Sequence, residues 1–479
     1  MEPSILPADP TGAPAPGPAT AEPPSVLPVA SPIAPITDEA IVPGADEAPP
    51  PPAPGWRRTL AGRARTWTGI LTAYFSAQTA TQLAGMSAGL LLTRFMPVKE
   101  FALYTLSSSL ISFFTFASDL GSTSSLVYFS HYTAREGGSF GDYLAAVLSL
   151  RRAAFLVGVV AVLLAFPATA TAKGFARWDV ALATVGILAA AWFQIASSVR
   201  VLALRLADRY GRSYRAEMAG GGVRLAAALA MIAAALLRAW IAVAAAALAA
   251  ATVAHLARDP APRPAAVDLS RPRRQVLRYL LPSLPSALYF SIQGPLVVWL
   301  SATFGTARNL AEVGALGRLG LLVGMFSGLT GIVFLPRMAR ITEDRVFRRR
   351  YLQFGSLLLA IALAMLAAAR FAPDLFLLIL GPHYTGLRRE LLLVVAGASL
   401  TLLSGYAVGV NLSRSWNRWE SLAVAILIAA QACLVAALPL GTTAGVLWFN
   451  VLSAAVGLAL QLAIATAGFI RPQWVRWMT

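Results

Sequence analysis

The chain has 479 residues, 57% of them hydrophobic and 13% charged, with a formal net charge of +17. Soluble globular proteins carry about 25% charged residues, so this composition excludes a soluble enzyme and indicates an all-α integral membrane protein. A basic balance can signal nucleic acid, but here the positive charges fall in short loops between apolar runs. That is the signature of membrane topology, and no nucleic-acid partner is expected.

Residues 1–55 hold seven acids, no Lys or Arg, and 17 of the 31 prolines. A Pro/Ala-rich acidic segment without apolar periodicity cannot bury a core, so it reads as a disordered cytoplasmic tail. The next stretch, Trp56 to Trp67, sets Arg57, Arg58, Arg63 and Arg65 between two tryptophans. It fits a short amphipathic helix on anionic lipid, or simply a cytoplasmic anchor for the first span.

Twelve apolar runs of bilayer length follow, near 70–93, 101–129, 143–167, 178–202, 217–237, 239–257, 277–304, 311–335, 351–371, 388–411, 419–438 and 443–469. The pair 217–257 is interrupted only at Leu237-Arg238-Ala239. As one helix it would span about 60 Å, twice the bilayer core, so a turn is expected there. Loops alternating to one side hold 28 basic residues and those on the other side nine. This asymmetry places both termini in the cytoplasm. Arg224 and Arg318 are the two basic residues left inside spans.

The longest connection, a basic loop over 258–276, divides the spans six and six. The expected architecture is therefore about 12 transmembrane helices in two six-helix lobes, 56–257 and 277–479. A faint internal echo agrees: Glu100-Phe101-Ala102-Leu103 opens span two and Glu312-Val313-Gly314-Ala315 opens span eight. Two halves running in the same topological direction suggest a transporter with its substrate between them.

Charges kept inside a membrane are functional candidates. Arg224 and Arg318 are assigned to a substrate cavity, about seven residues or roughly 10 Å into their spans. Asp119, deep in span two, is the natural acid to set beside them. In span seven, Pro282 and Pro285 bend the start and Gln293-Gly294-Pro295 interrupts the middle. Carbonyls freed there need water or a neighbouring helix. Gln293 is accordingly assigned to the cavity, the alternative being a bond to an adjacent helix. The patterns GMSAG at 85–89, GMFSG at 324–328 and GYAVG at 405–409 are expected to allow close helix packing.

No nucleotide loop of the GxxxxGK[ST] type occurs, nor HExxH, GxSxG or CxxC. The single Cys433 and the scattered His131, His255 and His383 offer no metal-ligand spacing. No enzyme, metal or cofactor is expected. An integral-membrane glycan polymerase or acyltransferase would need a sizeable polar outer loop, and the outer loops here are short.

The segment 85–125 resembles the bacterial polysaccharide-export flippases, the O-antigen-unit translocases of the multidrug/oligosaccharidyl-lipid/polysaccharide exporter (MOP) superfamily. The letters that carry the resemblance are Arg94, Met96-Pro97, Glu100-Phe101-Ala102, Tyr104 and Asp119-Leu120-Gly121. Ala102 stands where the family often has Gly. The peptidoglycan-precursor flippase of the superfamily usually has two further spans and several first-lobe arginines, which this sequence lacks. The resemblance implies alternating-access translocation of a polyprenyl-diphosphate-linked oligosaccharide across the inner membrane, with membrane lipids and other polysaccharide-assembly proteins as partners. It implies Arg224 and Arg318 on the diphosphate, and Arg94, Asp119 and Glu312 in gating or coupling. An ion-coupled multidrug exporter of the same superfamily is the alternative.

Overall fold

A computed structural model describes residues 81–471, apart from 124, 127, 131–139, 259–268, 282, 283, 325, 328, 329, 331–333, 340, 342, 415 and 417. The proline-rich tail, the basic stretch 56–67 and most of the first span lie outside these residues, as does Pro282. The described chain is helical throughout: α1 (81–95), α2 (Val98–Asp119), α3 (Phe140–Ala172), α4 (Arg177–Leu206), α5 (Tyr210–Ala233) and α6 (Ala239–Leu256). There follow α7 (Ser270–Leu280), α8 (Leu284–Phe304), α9 (Ala307–Gly324), α10 (Leu335–Ala339), α11 (Asp344–Phe371), α12 (Pro373–Leu380), α13 (Arg388–Ser413), α14 (Glu420–Ala437) and α15 (Thr443–Ile470).

Ten helices among the described residues are long and apolar enough to cross a bilayer. Of the twelve expected spans, the first is described only from residue 81. The eighth is led by α9, which carries Arg308, Glu312 and Arg318 and is too charged to qualify on composition. Large apolar side chains such as Leu156, Val157, Val185, Leu352 and Phe371 face outward, as lipid contact requires and water would not tolerate in such number.

Several boundaries differ from expectation. Span two does not run to 129. It stops at Asp119, because Leu120 and Gly121 both take left-handed backbone (φ 42° and 81°). The expected turn near Arg238 occupies Ala234–Arg238, with Ala235 at φ 53°. The region read as a loop over 258–276 contains the start of α7, a basic amphipathic helix. Finally, Gln293-Gly294-Pro295 does not break α8, which continues through all three. Pro295 removes one helical N–H, a defect that membrane helices accommodate through their neighbours. Pro285 lies in the first turn of the same helix.

Helix neighbours recur in the two halves. The fourth spanning helix of the first half, α4, packs on α2, α3 and α6; its counterpart α13 packs on α9, α11 and α15. The halves join mainly through α2, which lies against α8 and α9. Trp299 of α8 donates to Ser109 at 3.2 Å and sits edge-on to Phe113. Where α2 meets α9, a methyl on Gly314 would collide with the side chain of Thr105, so glycine is what lets the two backbones approach.

Charge divides the bundle into two ends. The C-terminal ends of α2 and α4 and the N-terminal ends of α5 and α11 lie at the end with the arginine-rich connections, the basic end. At the opposite end the two halves are tied together. Arg94 donates to the Leu378 carbonyl (2.9 Å) and lies against Gly381, whose φ of 101° ends α12. The Lys173 ammonium reaches the Gly305 carbonyl, and Phe101 meets Tyr384 with ring centroids 6.4 Å apart. In both cationic contacts a first-half side chain caps the negative end of a second-half helix.

Candidate substrate cavity

A cavity of about 690 Å³ lies within the first half, walled by α1, α2, α4, α5 and α6 and entered from one side by Arg318 of α9. Its α2 wall is polar, with Ser108, Ser112 and Thr115; its α4 wall carries Gln194, Ser197 and Ser198. It extends toward the basic end, where Thr123, Arg205 and Glu217 line it.

At the deep end, Arg224 and Arg318 converge on one tyrosine. Arg224 Nη2 donates to the Tyr104 hydroxyl at 3.1 Å, and the Arg318 guanidinium lies 5.6 Å from the centre of the Tyr104 ring. Tyr104 is only 1% exposed. Arg318 reaches this position because Gly89 leaves room: a methyl there would stand 3.3 Å from Arg318 Nη1. Arg318 is eleven residues into α9 and Arg224 fourteen into α5, about 17 and 21 Å from the helix starts. Both sit deeper than expected, because α9 and α5 begin four and seven residues earlier than the apolar pattern indicates.

Neither arginine has a carboxylate partner among the described residues. Two such cations side by side, both half-buried in the cavity wall, repel one another and are costly inside a membrane protein. The natural complement is an anion able to take two planar forks at once. Glu217 is the one acid on the cavity wall among the described residues, and both its oxygens accept from Arg205 Nη2 at 2.9 and 2.7 Å. It lies seven residues from Arg224 on the same helix, about 10 Å nearer the basic end.

The remaining candidates fall elsewhere. Asp119 does not approach Arg224 or Arg318. It accepts from Arg151 and from the Ser122 and Thr123 hydroxyls, 3.1 and 2.7 Å away. Arg151 also donates to Ser122 (2.7 Å) and Ser198 (2.9 Å), so this cluster knits α2, α3 and α4 beneath the cavity. Gln293 does not line the cavity; its Oε1 accepts from Gln431 of α14 at 2.9 Å, the bond to a neighbouring helix that the sequence left open. Gly294 faces open space. Arg94 is at the far end from the cavity mouth. Glu312 accepts from Arg308 (3.0 Å) and from the Thr443 hydroxyl (2.6 Å). The GMSAG stretch is cavity wall rather than helix contact: Gly85 lines the space and Gly89 seats Arg318. In GYAVG, Gly409 lies against Leu335 and Gly405 meets nothing within 4 Å; in GMFSG, Gly324 likewise meets nothing and Gly328 lies outside the described residues.

Sequence reasoning passed over four participants. Tyr104 entered only as one letter of a resemblance. Arg151 was counted as a loop charge although it lies eleven residues into α3. Arg205 and Glu217 were not paired, although the seven-residue step from Glu217 to Arg224 puts both on one helix face.

This arrangement of helices is shared with solved membrane transporters. A multidrug resistance MATE family transporter of the MOP superfamily, in an inward-facing conformation, matches with a TM-score of 0.60 at 17% identity, over 81% of this chain and 95% of that one. The lipid II flippase MurJ, in an inward closed conformation, matches with a TM-score of 0.61 at 10% identity, over 82% and 87%. The chain shares its fold with these two proteins. No family model and no curated protein matches by sequence. With ten helices long and apolar enough to cross a bilayer among the described residues, the chain is a multi-pass membrane protein, and its cavity lies among the helices of the first half.

Proposed function

We propose that the protein translocates a polyprenyl-diphosphate-linked oligosaccharide from the cytoplasmic to the outer leaflet of the inner membrane, for surface polysaccharide assembly. The observation that carries this reading is the pair Arg224 and Arg318. They come from opposite halves, meet on Tyr104, and have no acid to neutralise them among the described residues. A diphosphate bound there would touch both halves at once, so its binding energy differs between states in which the halves are together and apart. The serines and Gln194 along the wall suit sugar hydroxyls, and the isoprenoid tail remains in lipid.

In this reading the halves are two six-helix lobes that rock about the cavity, and the conformation described is open to the cytoplasm. The closed end is held by Arg94, Lys173 and the Phe101–Tyr384 contact, and the 28-to-9 distribution of basic residues assigns the open end to the cytoplasm. Both termini are then cytoplasmic.

An ion-coupled multidrug exporter is the second reading. It is supported by Glu217, an acid on the cavity wall, and by the likeness to a multidrug transporter. A leaflet assay decides. Cells carrying Arg224→Ala or Arg318→Ala are expected to accumulate lipid-linked glycan on the cytoplasmic side. Normal outward delivery in both variants would sink the cavity assignment. Intact surface polysaccharide in a deletion strain that is sensitised to cationic dyes would favour the exporter.

A further inference from the structure

Helix α7 is the segment that joins the two halves, and it plays no part in the cavity. Its inner face is fixed to the first half. Val276 and Leu280 are buried against Leu126, Tyr143, Val147 and Val199; Tyr143 donates to Gln275 at 2.6 Å, and Arg273 donates to Ser149 at 2.8 Å. Tyr279 stacks on Tyr128 with ring centroids 5.2 Å apart, and burial beside that ring raises its hydroxyl pKa. The helix is thereby held in one rotation about its axis.

That rotation leaves a specific outer face. At 100° per residue, Arg271, Arg274 and Arg278 fall within an arc of about 60°, and Leu277 and Leu281 fill the arc beside them. All five are exposed. Among the described residues none of these three arginines has an acid within ion-pair distance. The level of the helix relative to the bilayer follows from its contacts. Tyr143, Val147 and Ser149 lie in the first three turns of α3, a spanning helix, and α8 begins three residues after Leu281. An arginine stripe beside a leucine ridge at the start of two spans lies at headgroup depth, with the leucines toward the acyl chains.

We propose that this face of α7 binds anionic phospholipid headgroups, with Arg271, Arg274 and Arg278 on the phosphates and Leu277 and Leu281 in the acyl region. Charge complementarity selects the occupant. Clustered arginines beside a span attract acidic lipid over zwitterionic lipid, each contributing about 5-fold in affinity. An acidic protein segment would not need the exposed leucines. Because α7 is fixed to the first half and leads directly into α8, lipid held there would sit at the junction about which the halves move.

The test is native mass spectrometry of the purified full-length protein with phosphatidylglycerol or phosphatidylcholine. Wild type is expected to retain phosphatidylglycerol with at least about a 10-fold preference. The variant R271Q/R274Q/R278Q should bring the two lipids within about 2-fold, while the corresponding lysine triple keeps the preference. Leu277→Ser with Leu281→Ser should weaken both lipids and leave their ratio unchanged. R370Q/R389Q, which removes charge at the opposite end, should behave as wild type. The inference is overturned if the glutamine triple keeps the wild-type preference. It is also overturned if the lysine triple loses it as fully, or if glycerol phosphate at the same concentration displaces the lipid.

Discussion

The two halves of the protein open on the same corner and then diverge. Glu100, in the first turn of α2, accepts from the backbone N–H of Ala239 at 2.8 Å and pairs with Arg238, tying its helix to the start of α6. Glu312, near the start of α9, accepts from Thr443 and ties its helix to the start of α15. In each half an acid at the head of the second helix holds the first turn of the sixth. The residues that follow differ in kind. After Glu100 come Tyr104, Thr105 and a run of three serines, Ser107 to Ser109; after Glu312 come Gly314, Gly317, Arg318 and Gly320. One helix supplies the ring and the polar wall. The other supplies clearance and a charge that crosses to it. The repeat is a scaffold, and the cavity is made from its asymmetry.

The largest effect should come from breaking what crosses between the halves. Arg318→Ala or Arg224→Ala removes one fork of the proposed anion site, and binding of a polyprenyl diphosphate should fall on the order of 10²-fold. Lysine at either position keeps the charge but not the fork, so it should recover only part of the loss. Equilibrium binding to the purified protein measures this. If both alanine variants bind like wild type, the asymmetry has no bearing on cargo.

Next comes the clearance itself. Replacing glycine by alanine within a helix ordinarily stabilises it by up to about 1 kcal/mol. At Gly314 the sign should reverse, because the added methyl meets Thr105 across the two halves. Overpacking of this kind costs about 1–3 kcal/mol, and Thr105→Ala in the same chain should return most of it. Thermal unfolding in detergent reads both changes. Additive effects of the two substitutions would show that α2 and α9 do not meet at this point.

The corners themselves should differ by less. Glu100→Gln weakens a contact to a backbone N–H at a helix start and an ion pair with Arg238; Glu312→Gln weakens one hydroxyl contact and an ion pair within its own helix. Stability losses of about 1 and about 0.5 kcal/mol are expected. Equal losses would mean that the second corner carries more than its hydrogen bonds show.

Much of the scaffold is legible in the letters. Apolar length and loop charge locate the helices, since lipid forbids unsatisfied backbone and topology follows arginine. Arg224 and Arg318 stand out because charges inside spans are rare. Their meeting place is not legible. It depends on clearance at Gly89 and Gly314; the pattern at 85–89 marks Gly89 for close packing without naming its partner, and Gly314 enters only as a letter of the echo. Asp119 invites pairing with a deep arginine, yet Arg151, one helix away, takes it first. Gln293 looks like a cavity residue until Gln431, set in an otherwise apolar run, supplies its partner. Short-range pattern sets each helix; which polar groups face one another is decided by packing between helices far apart in sequence.

The smallest effect expected at neutral pH concerns Tyr384, which lies between the corners. Its ring meets Phe101 of the first half, and its buried hydroxyl has no hydrogen-bond partner among the described residues. Burial, and then the nearby charge of Glu312, push its pKa well above the ordinary value of about 10. In the unfolded chain the phenol would ionise near pH 10, while in the fold it stays neutral. The stability it contributes is therefore fully present below pH 10 and is lost as pH rises above it. Tyr384→Phe removes this loss together with the unpartnered hydroxyl, so it should be neutral or slightly stabilising at pH 7. By pH 11 the variant should be ahead of wild type by about 1 kcal/mol. Thermal unfolding of both proteins between pH 8 and 11 measures the gap. A constant difference across that range would place the Tyr384 hydroxyl in contact with water, and the closed end of the bundle would then be looser than the contact with Phe101 implies.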